Sequence, residues 1–393
     1  MVKERYRKMI FISLLCGGGF VQGHSTDSIV IPAKDSLSIV HSKREEVKYP
    51  QFQIKGLFQA RYMVQTRQDV DVNGMHHSDH TGASNNFMIK YMRVQMRTQI
   101  SKRTEVVALA NFADFKNDPK GKVLENAFLK YTFNPKIAVT VGQFRPWFGI
   151  EETYPVDVIK SLDWSNQYTE FGKLGWTSFQ IGASVGGKLQ LGKLPFQYAV
   201  SLVNGNGKNQ LSDNESGKHY STRLLLGLAP KYHLNLGLNA GVGEVFSRKI
   251  YALGADISGE VQLNPRWSVD MQLEAKQATN HVLYYSLAES LRTNNLDDYL
   301  IRGIYFLPHL RYNIHYHNLS ALELSCRYEY LDTNFRLNSN PRYTITPMFG
   351  LEFLKNYGGR IQFGMQLDRY KKQLENTTQY NNNLFIVQVQ SSF

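Results

Sequence analysis

The sequence predicts an all-β protein, a 16-stranded antiparallel transmembrane β-barrel. Segments in which apolar and polar residues alternate recur from residue 51 to residue 393. Their connections tend to alternate between short turns and long polar loops. One connection, residues 145–176, is the longest and is unusually rich in aromatic residues. These three features together describe an up-and-down meander with tight turns at one end and long loops at the other.

Residues 1–23 have the features of an export signal. A basic head precedes a short apolar run from Met9 to Phe20, and cleavage is predicted after Gly23. Residues 24–50 are charged and mixed and are interpreted as an N-terminal lead-in. No later stretch approaches the roughly 18 apolar residues that a membrane helix needs. The mature chain is therefore predicted to run from lead-in to barrel, residues 51–393, without a spanning helix.

The charge of the chain indicates anionic rather than cationic partners. Removal of the signal lowers the formal net charge from +12 to +9, because the signal carries Lys3, Arg5, Arg7 and Lys8 against Glu4. Small anions, and no nucleic acid, are the expected partners. Cleavage also removes Cys16 and leaves Cys326 alone, which excludes an intrachain disulfide and a zinc site built on cysteines. No cofactor and no metal are expected.

The strands are predicted from a period of two residues. From Phe52 to Tyr62 the even positions are mostly apolar and the odd ones mostly polar, as in a strand with two different faces. The sixteen predicted strands are 52–66, 86–100, 104–115, 124–134, 136–144, 177–190, 195–204, 220–231, 234–246, 251–263, 266–277, 301–314, 319–331, 342–354, 358–370 and 383–393. Short turns follow the even-numbered strands and long loops follow most of the odd ones, the short link at 247–249 being the exception.

A membrane barrel fits these strands better than a soluble one. Sixteen strands enclose a lumen too wide for side chains to fill, so the apolar face should meet lipid and the polar face water. Tyrosines and phenylalanines near strand ends, such as Tyr62 and Phe353, suit the two membrane interfaces. The last strand is amphipathic and ends in Phe393, the form in which such barrels commonly meet the barrel assembly machinery. Outer-membrane lipid and that machinery are therefore expected partners.

Residues 145–176 are predicted to be a packed loop. Loops of this length are usually functional or disordered, and disordered segments are poor in aromatic residues. The segment from Val141 to Trp176 holds three of the four tryptophans together with several phenylalanines and tyrosines. We therefore expect its aromatic side chains to hold it against another part of the protein.

Five segments of the chain resemble the phosphate-selective porins O and P of Gram-negative outer membranes. They are AFLKYTF at 127–133, VGQFRPWFGIEE at 141–152, SLVNGNG at 201–207, RYEYLDTN at 327–334 and LFIVQVQSSF at 384–393. The resemblance covers Phe52 to Phe393, and its most specific part is the second segment. It implies a homotrimer in the outer membrane whose third long loop, residues 145–176, folds inward as a constriction loop.

Cations at alternate positions are the candidate solute path. If apolar residues face lipid, the other face of the first, second and fourth strands lines the lumen, and the inward loop adds further cations. The candidates are Lys55, Arg61, Arg93, Arg97, Lys130, Arg145, Lys160 and Lys173. Arginine presents a fork of donors suited to phosphate oxygens, and lysine acts as a point charge. A wall of such cations predicts passive diffusion of small anionic solutes, including phosphate or polyphosphate.

Other readings of the same residues remain open. A water-filled barrel has a polar lumen whatever it transports, and acids on the tenth and eleventh strands offset the bases on the first and second. A weakly selective general diffusion porin is therefore the alternative. The spacing of His76, His77, Asp79 and His80 resembles a metal site, but a solvated loop is the preferred interpretation. No nucleophile motif is present and no catalytic residue is proposed, so an enzyme is not expected.

Overall fold

The computed structural model describes residues 48–113, 123–210, 213 and 216–393. The predicted signal peptide, residues 1–23, lies outside the described residues. So does the predicted lead-in, residues 24–50, except for its last three residues.

Sixteen antiparallel strands close into a single barrel. Each strand pairs with the next along the chain, and β1 pairs with β16 to complete the ring. The strands are β1 Gln51–Gln65, β2 Asn85–Gln99, β3 Thr104–Asn111, β4 Leu124–Asn134, β5 Ile137–Phe144, β6 Gln180–Leu191, β7 Leu194–Val203, β8 His219–Ala229, β9 Leu234–Val245, β10 Arg248–Gln262, β11 Trp267–Thr279, β12 Leu300–Tyr316, β13 Leu319–Asp332, β14 Arg342–Leu354, β15 Gly359–Tyr370 and β16 Asn382–Ser392. The predicted fold class is confirmed.

Most observed strand ends lie within a few residues of the predicted ones, and two differences have clear causes. Strand β6 begins at Gln180 rather than 177, because the hydroxyl of Thr177 donates to the carbonyl of Tyr168 in the preceding connection. Strand β10 begins at Arg248 rather than 251. Phe246 and Ser247, both with positive φ, form the tight turn that precedes it.

The connections define two different ends of the barrel. Short turns join each even-numbered strand to the next, whereas all but one of the odd-numbered strands lead into longer loops. We call these the turn end and the loop end. The helices within the loops are short: α1 Asn166–Lys173, α2 His281–Ser286, and single 3-10 turns at Val156–Val158, Glu289–Leu291 and Leu296–Asp298, with one more at the turn end, Pro230–Tyr232. In the described part of the chain, no helix is long and apolar enough to cross a membrane.

The two faces of the wall have opposite polarity. On β1 the outward-facing Ile54 is 66% exposed, whereas the inward-facing Arg61 is 6% exposed and Gln59 and Gln65 are also buried. Neighbouring strands repeat this pattern because residues paired across an antiparallel ladder share a face. Apolar side chains therefore coat the outside and polar ones line the lumen, the arrangement of a barrel with lipid outside.

The ring is closed beside the C-terminus. Phe393 continues the β1–β16 pairing through two backbone hydrogen bonds with Gly56. The N–H of Gly56 donates to the carbonyl of Phe393 (2.7 Å), and the N–H of Phe393 donates to the carbonyl of Gly56 (3.0 Å). A Cβ atom on Gly56 would overlap the Phe393 ring. The terminal ring therefore lies across the outer surface of β1.

Candidate functional site

The connection from β5 to β6, residues 145–179, is called loop 3, and Arg145 holds its beginning together. The guanidinium donates to Glu152 (Nε to Oε2, 2.6 Å), to the carbonyl of Tyr154 (3.0 Å) and to that of Glu151. The Trp164 ring centre lies 4.9 Å from its central carbon. The side chain of Arg145 is thus engaged inside the loop itself.

Loop 3 contacts inward-facing side chains on both sides of the barrel. Near its beginning, the backbone N–H of Gly149 donates to Asn239 on β9 (3.0 Å), and that of Ile150 donates to Glu274 on β11 (2.9 Å). Further along, the carbonyl of Leu162 accepts from Arg61 on β1 (3.1 Å). Strands β1 and β9 lie opposite each other in the ring of sixteen. A segment that reaches both from the inward-facing side crosses the interior of the barrel.

Two arginines of the wall satisfy backbone carbonyls of loop 3. Arg327 on β13 donates to the carbonyls of Asp163 (2.5 Å) and Trp164 (3.0 Å), and Arg360 on β15 donates to those of Asp157 and Ile159 (both 3.0 Å). This stretch contains no long helix or strand, so its carbonyls need other donors. Charged donors form the stronger class of hydrogen bond. The wall arginines therefore stabilise the path of the loop.

Asp163 links loop 3 to strands β1 and β2. Its Oδ2 lies 2.7 Å from Lys90 Nζ and 3.1 Å from Arg61 Nη1. Burial alone would raise the pKa of Asp163, but the charges of Lys90 and Arg61 outweigh burial and hold it well below its usual range. The carboxylate is therefore ionised at any pH near neutrality and partly neutralises both cations.

Lys160 joins loop 3 to strands β10 and β11. Its Nζ lies 2.7 Å from Asp270 and 3.4 Å from Glu260. Burial alone would lower the pKa of Lys160, but the attraction of Asp270 raises it above its usual value. The lysine therefore stays charged and remains paired with two carboxylates.

Glu151 is a buried acid of loop 3 whose ionisation is costly. Its carboxylate accepts from the backbone N–H of Ser165 (2.8 Å) and from the Ser165 hydroxyl. Burial raises the pKa of Glu151 to about 7; nearby Glu274 adds to this effect, and Arg327 opposes it. Protonation of this group near neutral pH is thus coupled to the packing of the loop.

Gly149 occupies a position that only glycine fits. It has a φ of +115°, and a Cβ atom there would lie 2.6 Å from Lys276 Cε and closer still to the Glu274 carboxylate. Both side chains are fully buried, and Lys276 Nζ lies 3.2 Å from Glu274 Oε1. The Phe148-Gly149 part of the sequence motif therefore docks the loop backbone directly against a charged pair on β11.

A cavity lies on each side of loop 3. The one at the turn end has a volume of about 350 Å³ and is lined by three cations and two acids, namely Lys160, Arg223, Arg311, Glu260 and Asp270. The one at the loop end has a volume of about 500 Å³ and is lined by four cations and three acids, namely Arg61, Lys90, Lys173, Arg342, Asp163, Glu170 and Asp368. Each cavity therefore has an excess of one positive charge.

Besides Arg61, four of the predicted site residues lie on the inward-facing side of strands β1, β2 and β4. Lys55 is paired in register with Gln95, which lies between Arg93 and Arg97 on the same face of β2. These three cations are close neighbours across the ladder. Lys130 faces Glu105 in the register of β3 and β4. The structure thus brings this group together on one section of the wall.

The cations of this section differ in their ion pairing. Arg93 contacts Glu125 (2.8 Å) and Arg97 lies 3.5 Å from Glu105. Among the residues that the structure describes, Lys55 and Lys130 have no carboxylate within ion-pair distance. Lys173 on α1 pairs with Glu170 at 2.6 Å, but its side chain is 58% exposed to the loop-end cavity. Lys55, Lys130 and Lys173 are consequently the most available of the eight candidates.

Several residues that shape the site were not among the candidates. Lys90 has the parity of an outward-facing residue, but it is left unpaired in the register where β1 and β2 shift. This bulge turns its side chain inward to Asp163. Arg327, Arg360 and Glu274 also contact loop 3, and these bonds join residues more than 100 positions apart.

The histidines of the first long loop have protein partners. His77 Nε2 lies 3.1 Å from Asp71, and His76 Nε2 lies 3.6 Å from Asp69. His76 Nδ1 accepts a hydrogen bond from the backbone of Asn376. No group of His, Cys, Asp and Glu suited to a metal ion occurs in the ranges that the structure describes.

The chain is similar to known proteins in sequence and in fold. A family model described as phosphate-selective porin O and P matches residues 62–299. No curated protein sequence gives a significant match.

Three solved structures share the fold at low sequence identity. The outer membrane channel DcaP of Acinetobacter baumannii is 14% identical, with a TM-score of 0.54 over 88% of this chain and 97% of that one. The trimer form of OmpT, an outer membrane protein of Vibrio cholerae, is 9% identical, with a TM-score of 0.53 over 88% and 100%. An anion-selective porin from Comamonas acidovorans is 8% identical, with a TM-score of 0.53 over 88% and 100%.

Proposed function

The chain belongs to the phosphate-selective porin O and P family, whose model covers more than half of it, and from this premise we propose that its lumen passes small anionic solutes by passive diffusion. The family is one of porins, and the similar structures include an outer membrane channel and an anion-selective porin. The observation that carries the anionic preference is the group Lys55, Arg93, Arg97 and Lys130 on one section of the wall. Two of its four members have no ion-pair partner in the described chain.

The proposed path leads an anion from the loop-end cavity past loop 3 to this section of the wall. Lys173, Lys90 and Arg61 receive the anion on the loop side, and Lys130 and Lys55 attract it on the turn side. Arg145 and Lys160 act indirectly, because their side chains hold loop 3 in place. In this proposal loop 3 is the constriction, since it crosses the lumen and separates the two cavities.

Phosphate is a suitable solute for a path of this kind. Arg93 and Arg97 can donate to its oxygens with the N–H groups that do not face Glu125 and Glu105, and the lysines add charge without fixed geometry. Conduction needs sites that bind strongly enough to admit the ion and weakly enough to release it. The carboxylates of Glu125 and Glu105 beside the two arginines weaken anion binding and so favour release. We therefore propose phosphate or polyphosphate as a preferred solute.

A weakly selective general diffusion porin is the second candidate. The observation that favours it is the extent of ion pairing, because each cavity retains an excess of only one positive charge. Paired charges on opposite walls orient water and solutes without a strong preference for either sign. The two candidates differ in how the channel responds to a salt gradient and to phosphate.

Single-channel current in a planar bilayer separates these candidates. Under a salt gradient, we expect a reversal potential that indicates anion preference, and a block of chloride current when phosphate is added. The double variant Lys55→Gln/Lys130→Gln should lose most of both effects. Lys231→Gln, which removes an exposed cation from the turn between β8 and β9, is the matched control. An unselective wild-type current that ignores phosphate would instead establish the general porin.

A homotrimer is the proposed assembly. Support comes from the similarity to OmpT, which is described in a trimer form. The mass of the detergent-solubilised protein, measured before and after heating, tests this proposal: a single-chain mass without heating contradicts it.

We propose that the chain is exported and then assembled into the outer membrane. We expect the N-terminus of the mature protein to be His24, and we expect the last strand, ending at Phe393, to engage the barrel assembly machinery. N-terminal sequencing of the outer-membrane form tests the first expectation. Deletion of Phe393 tests the second, because it should lower the amount of folded barrel in the membrane without lowering synthesis.

A further inference from the structure

An apolar groove crosses the outward-facing surface of strands β8 to β12. It has a volume of about 760 Å³, within the range of small-molecule sites. Its floor is low because Ala255 and Ala275 lie side by side in register. The same row continues to Leu238 on one side and to Ile304 on the other. Two small residues between two large ones make a recess in a surface that is otherwise covered by larger apolar side chains.

A cation lies at one edge of this groove. Arg302 is two residues before Ile304 on β12, and its exposed side chain helps to line the groove. It is the third residue of its strand and follows a long loop, so it lies near the loop end. In barrels of this class the longer loops face the outside of the cell. The groove and its cation therefore belong to the outer leaflet.

The guanidinium of Arg302 is held in position without a carboxylate. Its Nε and one Nη donate to Gln277 Oε1 (3.2 and 2.8 Å), and its central carbon lies 4.0 Å from the centre of the Phe335 ring. Asp332 faces it in register, but that carboxylate accepts from Asn334 N (3.0 Å) and Ser339 Oγ (2.6 Å). Within the described chain, Arg302 has no ion-pair partner.

We propose that this groove binds one lipid whose phosphate headgroup has a net negative charge, its acyl chain along Ala255 and Ala275 and its phosphate on Arg302. A cation on the lipid-facing surface is costly unless it lies at the interface and meets an anion. The other Nη and the second N–H of the Nη that contacts Gln277 remain as donors in one plane, which suits phosphate oxygens. Two residues of strand separate Arg302 from Ile304, about 7 Å, so a headgroup and the first part of its own chain reach both.

The proposal is independent of solute selectivity, since the groove is outside the lumen. Any lipid can cover an apolar surface, so the distinguishing property is a preference for an anionic headgroup. One arginine near a membrane surface contributes about 1 kcal/mol, which corresponds to roughly fivefold in affinity.

Native mass spectrometry of the full barrel in detergent measures this preference. The probes are dioleoyl phosphatidylglycerol and dioleoyl phosphatidylcholine, which share acyl chains and differ in headgroup. We expect the wild type to retain the anionic lipid about fivefold better. Arg302→Gln should equalise the two, Arg302→Lys should keep most of the preference, and Lys231→Gln should leave it unchanged. Filling the floor with Ala255→Trp/Ala275→Trp should lower retention of both lipids.

Three results would overturn the proposal. The first is equal retention of the two lipids by the wild type, and the second is an unchanged preference in Arg302→Gln. The third is a loss of oligomer mass in the filled variant, which would show that a second copy of the chain covers the groove. Heat-dependent mobility on gels verifies that each variant is a folded barrel. Inorganic phosphate, added at millimolar concentration, should not displace the lipid, because it lacks the acyl chain.

Discussion

Replacing Gly149 with alanine should release loop 3 from the wall while leaving the barrel folded. The added methyl group would lie 2.6 Å from Lys276 Cε and closer to the Glu274 carboxylate, both fully buried, so these side chains or the backbone have to move, and the positive φ strains alanine in either case. This movement breaks the bonds from Gly149 N to Asn239 and from Ile150 N to Glu274.

The expected cost can be estimated from these contacts. A non-glycine residue at positive φ costs about 1–3 kcal/mol. The bond to neutral Asn239 contributes about 1 kcal/mol and that to Glu274, if ionised, about 1.5–3. Together they give roughly 3.5–7 kcal/mol, enough to shift a loop of ordinary docking stability from mostly docked to mostly undocked.

Two assays measure this release. Limited trypsin digestion should cut Gly149→Ala at Lys160 or Lys173 much faster than the wild type, and single-channel conductance should rise because the lumen widens. Gly192→Ala is the matched control: it has a φ of +65° in the turn between β6 and β7, where an added Cβ has no neighbour within 4 Å. If Gly149→Ala matched the wild type in both assays, the steric argument would be refuted.

Three further substitutions test other contacts of the site. Glu151→Gln should remove a pH dependence of loop docking. Because the pKa of Glu151 is raised to about 7, docking is most stable below the ordinary value of 4.5 and weakens as pH rises through 7, by up to about 3 kcal/mol. The ratio of wild-type to variant proteolysis, measured with a protease active at both pH values, should therefore be larger at pH 8 than at pH 5. Asp163→Asn should increase anion preference in reversal-potential measurements, because the loop-end cavity gains a net positive charge. The amide oxygen of Asn can still accept hydrogen bonds from Arg61 and Lys90. An unchanged reversal potential would mean that this cavity does not control selectivity. Gly56→Leu should slow refolding into the heat-resistant barrel, because the leucine side chain displaces the Phe393 ring. In a Phe393→Ala background the same substitution should slow refolding less. An equal effect on the refolding rate in both backgrounds would rule out this explanation.

The strands could be predicted from the sequence because their signal is local. A period of two residues and a turn at each end mark a strand regardless of its partners, and the inward-facing positions follow from the same parity. Lys55, Arg61, Arg93, Arg97 and Lys130 were placed on the lumen side in this way. Lys90 was missed because a bulge interrupts the parity, and a single extra residue leaves little trace in the sequence.

The pairing of the charges could not be predicted in the same way. Arg61 meets Asp163, and Arg360 meets the carbonyl of Ile159, across sequence separations of 102 and 201 residues. Parity tells which face a side chain occupies but not which loop folds against it. Arg145 and Lys160 were predicted as part of a solute path, and the structure adds that Arg145 pairs with Glu152 and Lys160 with Asp270 and Glu260. Whether a cation is free or occupied therefore depends on the tertiary structure.

The wall arginines contact the main chain of loop 3, so the side chains of the loop can vary without loss of these contacts. Arg327 and Arg360 donate to carbonyl oxygens, which every amino acid possesses. Substitutions between residues 157 and 164 can therefore alter the charge on the loop while these carbonyl contacts remain; changes at Lys160 and Asp163 also remove ion pairs with the wall. Relatives with other solutes, and designed variants, can inherit the same scaffold and change only the side chains that project from it.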